Sequence, residues 1–124
     1  MQFRLTMVSI LLIDDDAAFR EEVRLGLEDA GYEVTVMSCG DCGVEAFKSG
    51  RQDVVITDIF MDKGEGFETM QRLLELAPEL PVIAVSAYEN YLQSMKKLGA
   101  SQALAKPFRM AELIKAVRTA SGQR

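Results

Sequence analysis

Three aspartates, a serine and a lysine follow four separate apolar runs in this chain, and residues of these types are what phosphoryl transfer requires. Asp14 and Asp15 follow Ile10-Leu11-Leu12-Ile13, and Asp58 follows Val54-Val55-Ile56-Thr57. Ser86 follows Val82-Ile83-Ala84-Val85, and Lys106 follows Ala103-Leu104-Ala105. If the runs are parallel strands, their carboxyl ends share one edge of a sheet, the edge at which open α/β sheets bind ligands. Carboxylates gathered there repel one another strongly unless a cation offsets them, so a divalent metal is expected. With no His in the chain, all-oxygen ligation favours Mg²⁺, which binds through one or two carboxylates and completes its shell with water and phosphate. A neighbouring lysine supplies a point charge for a phosphoryl oxygen and a hydroxyl donates to another, leaving one aspartate free to act as nucleophile.

The elements that must position these groups alternate along the chain. A strand over 9–14 leads to a helix over 17–30 that sets Phe19, Val23, Leu27 and Ala30 on one face and ends at Gly31. A short strand over 34–37 precedes a helix over 41–48, closed by Ser49-Gly50. The strand over 54–57 passes through the loop 62–66 into a helix over 67–77 carrying Met70, Leu73, Leu74 and Ala77. Pro81 opens the strand over 82–85, a helix covers 90–98 up to Gly99, a weak strand covers 103–105, and a helix over 110–120 carries Leu113, Ile114 and Val117. Five apolar runs without strict alternation read as strands buried on both faces, hence a doubly wound α/β domain with a five-stranded parallel sheet.

Composition narrows the function classes. A chain of 124 residues, 48% hydrophobic, can bury one core without disulfides or a structural metal. The net charge of −5 and the absence of a basic run exclude a nucleic-acid surface on this domain. The apolar stretch 8–13 is too short for a membrane span and runs straight into Asp14-Asp15-Asp16, which points to a cytoplasmic protein. The domain is expected over 9–120, with 1–8 and 121–124 as terminal extensions and no room for an output domain.

Ile13-Asp14-Asp15-Asp16, Asp58-Ile59-Phe60-Met61 with Gly66 eight residues beyond Asp58, Val85-Ser86-Ala87 and Lys106-Pro107-Phe108 together resemble the receiver domain of two-component response regulators, of the chemotaxis-regulator type. The ordered set covers nearly the whole chain and is far more specific than any one of its parts. The resemblance implies a flavodoxin-like (βα)5 fold with strand order 2-1-3-4-5. It makes Asp58 the phosphoacceptor, which attacks a phosphohistidine on a sensor histidine kinase or histidine phosphotransfer protein, so that the domain catalyses its own phosphorylation and dephosphorylation. Asp15 would ligate Mg²⁺ directly and Asp14 through water, with Asp58 and the backbone carbonyl of Phe60 completing the protein ligands. Ser86 and Lys106 would hold the phosphoryl oxygens. The output would pass to a downstream protein or an attached domain. Asp16, where the family often has Glu, fits a helix cap.

The departures from the pattern fall in the switching parts. Ala103 stands three residues before the lysine, where the family commonly places an aromatic, so the usual rotation of that ring is absent. Asp62 replaces a common Pro and adds charge and freedom to its loop. Phe60 and Tyr88 flank the site at positions that in the family govern access of water to the acyl phosphate. Cys39-Gly40-Asp41-Cys42 has thioredoxin-like spacing, but Asp41 opposes a thiolate, and two reduced, partly buried thiols are expected. Zinc would need two further ligands from a second chain.

Two rival functions remain open on the residues. Asp14-x-Asp16 followed by a later Ser and Lys resembles a haloacid-dehalogenase-type phosphatase, although only Glu112 follows Lys106 to hold its metal. A receiver-like interaction module acting without phosphorylation is the other, favoured by Ala103 and opposed by intact Asp15, Asp58 and Lys106.

Overall fold

The computed structural model describes residues 7–50, 52–61 and 65–122. Asp62, whose effect on its loop the sequence raises, lies outside the described residues, as do most of the terminal extensions. Five strands, β1 (Ser9–Ile13), β2 (Glu33–Met37), β3 (Val54–Asp58), β4 (Val82–Ser86) and β5 (Gln102–Ala105), alternate with α1 (Ala17–Asp29), α2 (Gly40–Gly50), α3 (Gly66–Leu76), α4 (Leu92–Lys97) and α5 (Met110–Ala120). All strand pairs are parallel and the order is β2-β1-β3-β4-β5. The fold is therefore the expected flavodoxin-like arrangement.

Alternation along each strand divides the core into two layers. Leu11, Ile13, Val55, Val82 and Ala84 face a cluster with Val44, Phe47, Met70, Leu73 and Met95 of α2, α3 and α4. Ile10, Leu12, Val54, Ile56, Ile83 and Val85 face the opposite way, against Val23, Leu27, Leu113 and Val117 of α1 and α5. A central strand buried on both faces has no use for a polar position, which is why these runs lack alternation. Each fully buried Leu, Ile or Val contributes about 1.5–3 kcal/mol, and β1, β3 and β4 carry most of them.

The helix ends follow local chemistry. Asp16 caps α1, its Oδ1 accepting the Phe19 N–H at 3.1 Å, as its residue type and position suggest. Gly31 and Gly99, at φ +99° and +118°, let the chain turn into β2 and β5 in a backbone region that side chains disfavour.

Two expectations need correction. The helix expected over 90–98 is split into a 3₁₀ turn at Glu89–Tyr91 and the six-residue α4. The Tyr91 ring packs on Phe60 at 4.7 Å between centroids, so tertiary packing shapes the start of that segment in place of helical propensity. Cys39 and Cys42, expected as reduced thiols, are joined in a disulfide. The turn from β2 into α2 brings the two sulfurs within bonding reach.

Candidate functional site

Register gathers the polar residues. Ile13 pairs with Thr57, so Asp14 and Asp58 emerge side by side from β1 and β3. Asp58 pairs with Val85 and Ser86 with Ala105, which places Ser86 and Lys106 in the next two rows of the same edge. Backbone bonds continue past the strands and hold these ends: Asp14 N–H donates to Met37 O at 3.1 Å, Ile59 N–H to Val85 O at 3.0 Å, and Lys106 N–H to Ser86 O at 2.8 Å.

Lys106 Nζ lies at the centre, donating to Asp14 Oδ2 at 2.9 Å and to Asp58 Oδ2 at 3.0 Å. Asp14 is 1% and Asp58 7% exposed, so this is a largely desolvated two-to-one arrangement. Each carboxylate is oriented by one more donor. Asp14 Oδ1 accepts Asp16 N–H at 2.9 Å, and Asp58 Oδ1 accepts Phe60 N–H at 3.0 Å. Carboxylate oxygens of Asp14, Asp15 and Asp58 lie within 4.8 Å of one another. That all-oxygen set fits a hard divalent cation, with Asp15 on the solvent side.

Burial pushes the Asp58 carboxyl above its ordinary range, although the Lys106 ammonium and the Phe60 N–H pull it down; the nearby Asp14 adds to the rise. For Lys106, burial is the largest single influence and lowers its affinity for a proton, yet the combined hydrogen bonds and charges of Asp14 and Asp58 outweigh it and raise the group above its ordinary value. The ammonium is thus retained across the neutral range.

Ser86 is fully buried, and its hydroxyl is engaged within its own loop. Its Oγ accepts Tyr88 N–H at 2.9 Å. The structure therefore brings Asp14, Asp15, Asp58 and Lys106 together directly and joins Ser86 to them through the Lys106 backbone. Phe60 contributes its N–H to Asp58, while its ring packs edge-on against Phe67, Tyr88 and Tyr91.

Comparison with known proteins decides the family. The model of the response regulator receiver domain matches residues 10–118. The chain belongs to that family. Among relatives, the DNA-binding transcriptional regulator NtrC of Rhizobium meliloti is 35% identical over 112 residues, covering 89% of this chain and 23% of that protein. Response regulator MprA of Mycolicibacterium vanbaalenii is 33% identical over 113 residues, covering 90% of this chain and 49% of the relative. The chain thus spans between about a quarter and a half of the length of these relatives. A response regulator receiver domain protein from Clostridium thermocellum superposes with a TM-score of 0.85 at 30% identity, over 94% of this chain and 95% of the other. Response regulator TrrA of Thermotoga maritima, solved in complex with Mg²⁺-BeF, gives a TM-score of 0.85 at 29% identity over 92% and 99% of the two chains.

This receiver domain uses several residues at its site that the sequence motifs did not single out. Phe19, read only as a core position of α1, carries Lys106 Nζ 4.1 Å from its ring centroid and meets Phe108 edge-on at 5.8 Å. Arg20 Nη1 donates to Asp14 O at 2.7 Å, and Met37 holds Asp14 from the neighbouring strand. Arg20 stands on the first turn after the acidic triplet, which was the available signal for it. For Phe19 and Met37 no local signal existed.

The rise in the Asp58 pKa has a stability consequence. A carboxyl that binds its proton more tightly when folded makes the native state lose stability as pH climbs from the ordinary carboxylate value through the raised one, and the full penalty persists at neutral pH. In metal-free buffer Asp58→Asn is expected to be more stable than the parent by about 1 kcal/mol at pH 7, with little difference near pH 3. Urea unfolding at the two pH values measures this, and an unchanged difference between them would refute the electrostatic cause.

Proposed function

We propose that this receiver domain accepts a phosphoryl group on Asp58 from a phosphohistidine of a sensor kinase or phosphotransfer protein. The observation that carries the proposal is the Lys106 ammonium shared between Asp14 and Asp58, two members of a three-carboxylate set suited to Mg²⁺. Asp14, Asp15, Asp58 and the Phe60 carbonyl are the residues that would hold the ion. When bound, Mg²⁺ neutralises charge on the acids and on the incoming phosphoryl oxygens. The Asp58 carboxylate oxygen bonds to phosphorus as the donor's P–N bond breaks and its electron pair returns to the histidine nitrogen. Lys106, already between the two acids, follows the negative charge onto a phosphoryl oxygen. Ser86 supplies a hydroxyl proton to another oxygen by turning away from Tyr88. The acyl phosphate then biases the face built by α4, β5 and α5 toward a downstream protein or attached domain.

The acting unit is proposed as 9–120, in the cytoplasm. No helix among the described residues is long and apolar enough to cross a membrane. The phosphatase alternative loses its second acid, because Asp16 caps α1. A phosphate-independent interaction module remains the second reading, favoured by Ala103, which stands in β5 opposite Ala84 with no aromatic ring to rotate.

Intact mass and site mapping after incubation with acetyl phosphate, with and without Mg²⁺, test the proposal against Asp58→Asn. A labile, Mg²⁺-dependent adduct on Asp58, absent in the variant, is expected. No adduct on folded, Mg²⁺-loaded parent would leave the interaction module.

The aromatic group anchored at Asp58 yields a kinetic expectation. Phe60 and Tyr88 meet at 5.2 Å between centroids, and such rings hinder the approach of water to a neighbouring acyl phosphate. Phe60→Asn and Tyr88→Ala should each shorten the lifetime of the adduct by about threefold to tenfold, measured by decay of the phosphorylated mass. Equal lifetimes in parent and variants would remove the rings from the explanation.

A further inference from the structure

The Cys-x-x-Cys segment is the one chemistry-bearing motif that the phosphoryl site does not use. Its two sulfurs are bonded to each other at the start of α2. Cys39 stands just before the helix, its carbonyl accepting Gly43 N–H at 3.0 Å and its Sγ accepting Cys42 N–H at 3.1 Å. Both residues are half-buried, and Cys42 lines a shallow surface recess with Met37, Glu45, Ala46, Lys48 and Ser49. A bond closing so short a loop removes little entropy from the unfolded chain, and the helix hydrogen bonds already hold this turn. A purely stabilising staple therefore explains little of its presence.

We propose that Cys39 and Cys42 form a reversible redox couple exchanging with a dithiol reductant, with Cys42 the sulfur attacked and Cys39 the leaving thiolate. A thiolate of the reductant bonds to Cys42 Sγ from the recess, the Cys39–Cys42 bond breaks, and its electron pair goes to Cys39 Sγ. The reductant's second thiolate then attacks its own sulfur in the mixed disulfide and releases Cys42. The reductant leaves as a disulfide, two electrons have moved to the protein, and the two protons lost by the reductant are taken up by the cysteines or the solvent.

Cys39 is the better leaving group because its sulfur meets the Cys42 N–H at the N-terminus of the 11-residue α2. Asp41, the charge that opposes a thiolate in the sequence, is paired: Arg72 Nη1 of α3 donates to its Oδ1 at 2.5 Å. That contact partly offsets the objection. Arg72 lies thirty-one residues from Asp41 in sequence, so the tertiary fold supplies this pairing.

The test is equilibration of the folded parent in dithiothreitol of varied reduced-to-oxidised ratio, followed by acid quench, iodoacetamide and intact mass. A single two-electron transition between unlabelled and doubly labelled protein, complete within minutes without denaturant, is expected. Oxidised glutathione should leave a mixed disulfide on Cys42 in Cys39→Ser, and Cys39 in Cys42→Ser should alkylate about tenfold faster at pH 7 than in the same variant unfolded in urea. A bond that yields only on unfolding, or thiols that stay alkylatable in oxidised dithiothreitol, would overturn the couple. A mixed disulfide that forms on Cys39 and not on Cys42 would overturn the assigned roles.

Discussion

Lys106→Ala is expected to lower stability by about 3 kcal/mol at pH 7 in metal-free buffer and to slow phosphorylation of Asp58 by acetyl phosphate at least about tenfold. The cost arises from what remains. Removing the ammonium leaves Asp14 and Asp58 facing each other with Asp15 beside them, the first two largely shielded from water, and an uncompensated buried charge is more costly than an intact pair is beneficial. Asp58, whose carboxyl burial already raises and Lys106 holds down, then binds its proton more tightly still in the native state than in the unfolded chain. Stability consequently falls as pH rises through the carboxylate range, and the deficit relative to the parent should shrink near pH 4, where protonation removes the repulsion. Loss of the ammonium from the face of the Phe19 ring would instead be independent of pH over this range, so unfolding curves at the two pH values separate the causes. Two controls sharpen the outcome. Asp58→Asn combined with Lys106→Ala should cost less than Lys106→Ala alone, because one of the repelling charges is gone. Added Mg²⁺ should restore part of the loss by returning a cation to the same oxygens. A deficit that is constant with pH and insensitive to Mg²⁺ would assign Lys106 a packing role only.

The same site shows how far the sequence could be read. Apolar runs without alternation were enough to identify strands buried on both faces, and a polar residue directly after such a run must emerge at the sheet edge. Asp14, Asp58, Ser86 and Lys106 were therefore legible as members of one site. Their mutual contacts were less so. Lys106 could have pointed to solvent, and its position between two acids depends on Phe19 lying under it from α1. Ser86 engages Tyr88 in its own loop, a local hydrogen bond that a strand-end argument does not contain. The 3₁₀ turn before α4 reflects Tyr91 packing on Phe60, a contact between segments about thirty residues apart in sequence. Local pattern specifies which way a side chain leaves its element, whereas its partners are set by how helices from the two faces meet the sheet edge.

Gly66→Ala is expected to have the other large effect, lowering stability by about 3 kcal/mol or more and impairing phosphorylation in the same step. The reason is space. Gly66 is absent from the positions with positive φ, so an alanine there meets no strain from its own backbone angles. Its Cβ would instead stand 2.3 Å from Ile59 O, 2.4 Å from Asp58 O and 2.4 Å from Ile59 Cα. All three are backbone atoms of Asp58 and Ile59, and none can rotate away. Relief requires moving α3 off the sheet or displacing the chain after β3, and the latter disturbs the Phe60 N–H that orients Asp58 Oδ1. Gly26 provides the contrast. A Cβ added there would come within 2.5 Å of Met110 Cε, the end of a flexible side chain, and alanine has a helix-propensity advantage of about 1 kcal/mol to set against that contact. Gly26→Ala should therefore stay within about 1 kcal/mol of the parent and label normally with acetyl phosphate. Parallel urea unfolding and phosphoryl labelling of the two variants distinguish a packing requirement at the start of α3 from a general intolerance of added methyl groups. A Gly66→Ala protein with the parental midpoint and parental labelling would show that α3 can retreat freely, and would separate the position of that helix from the geometry of Asp58.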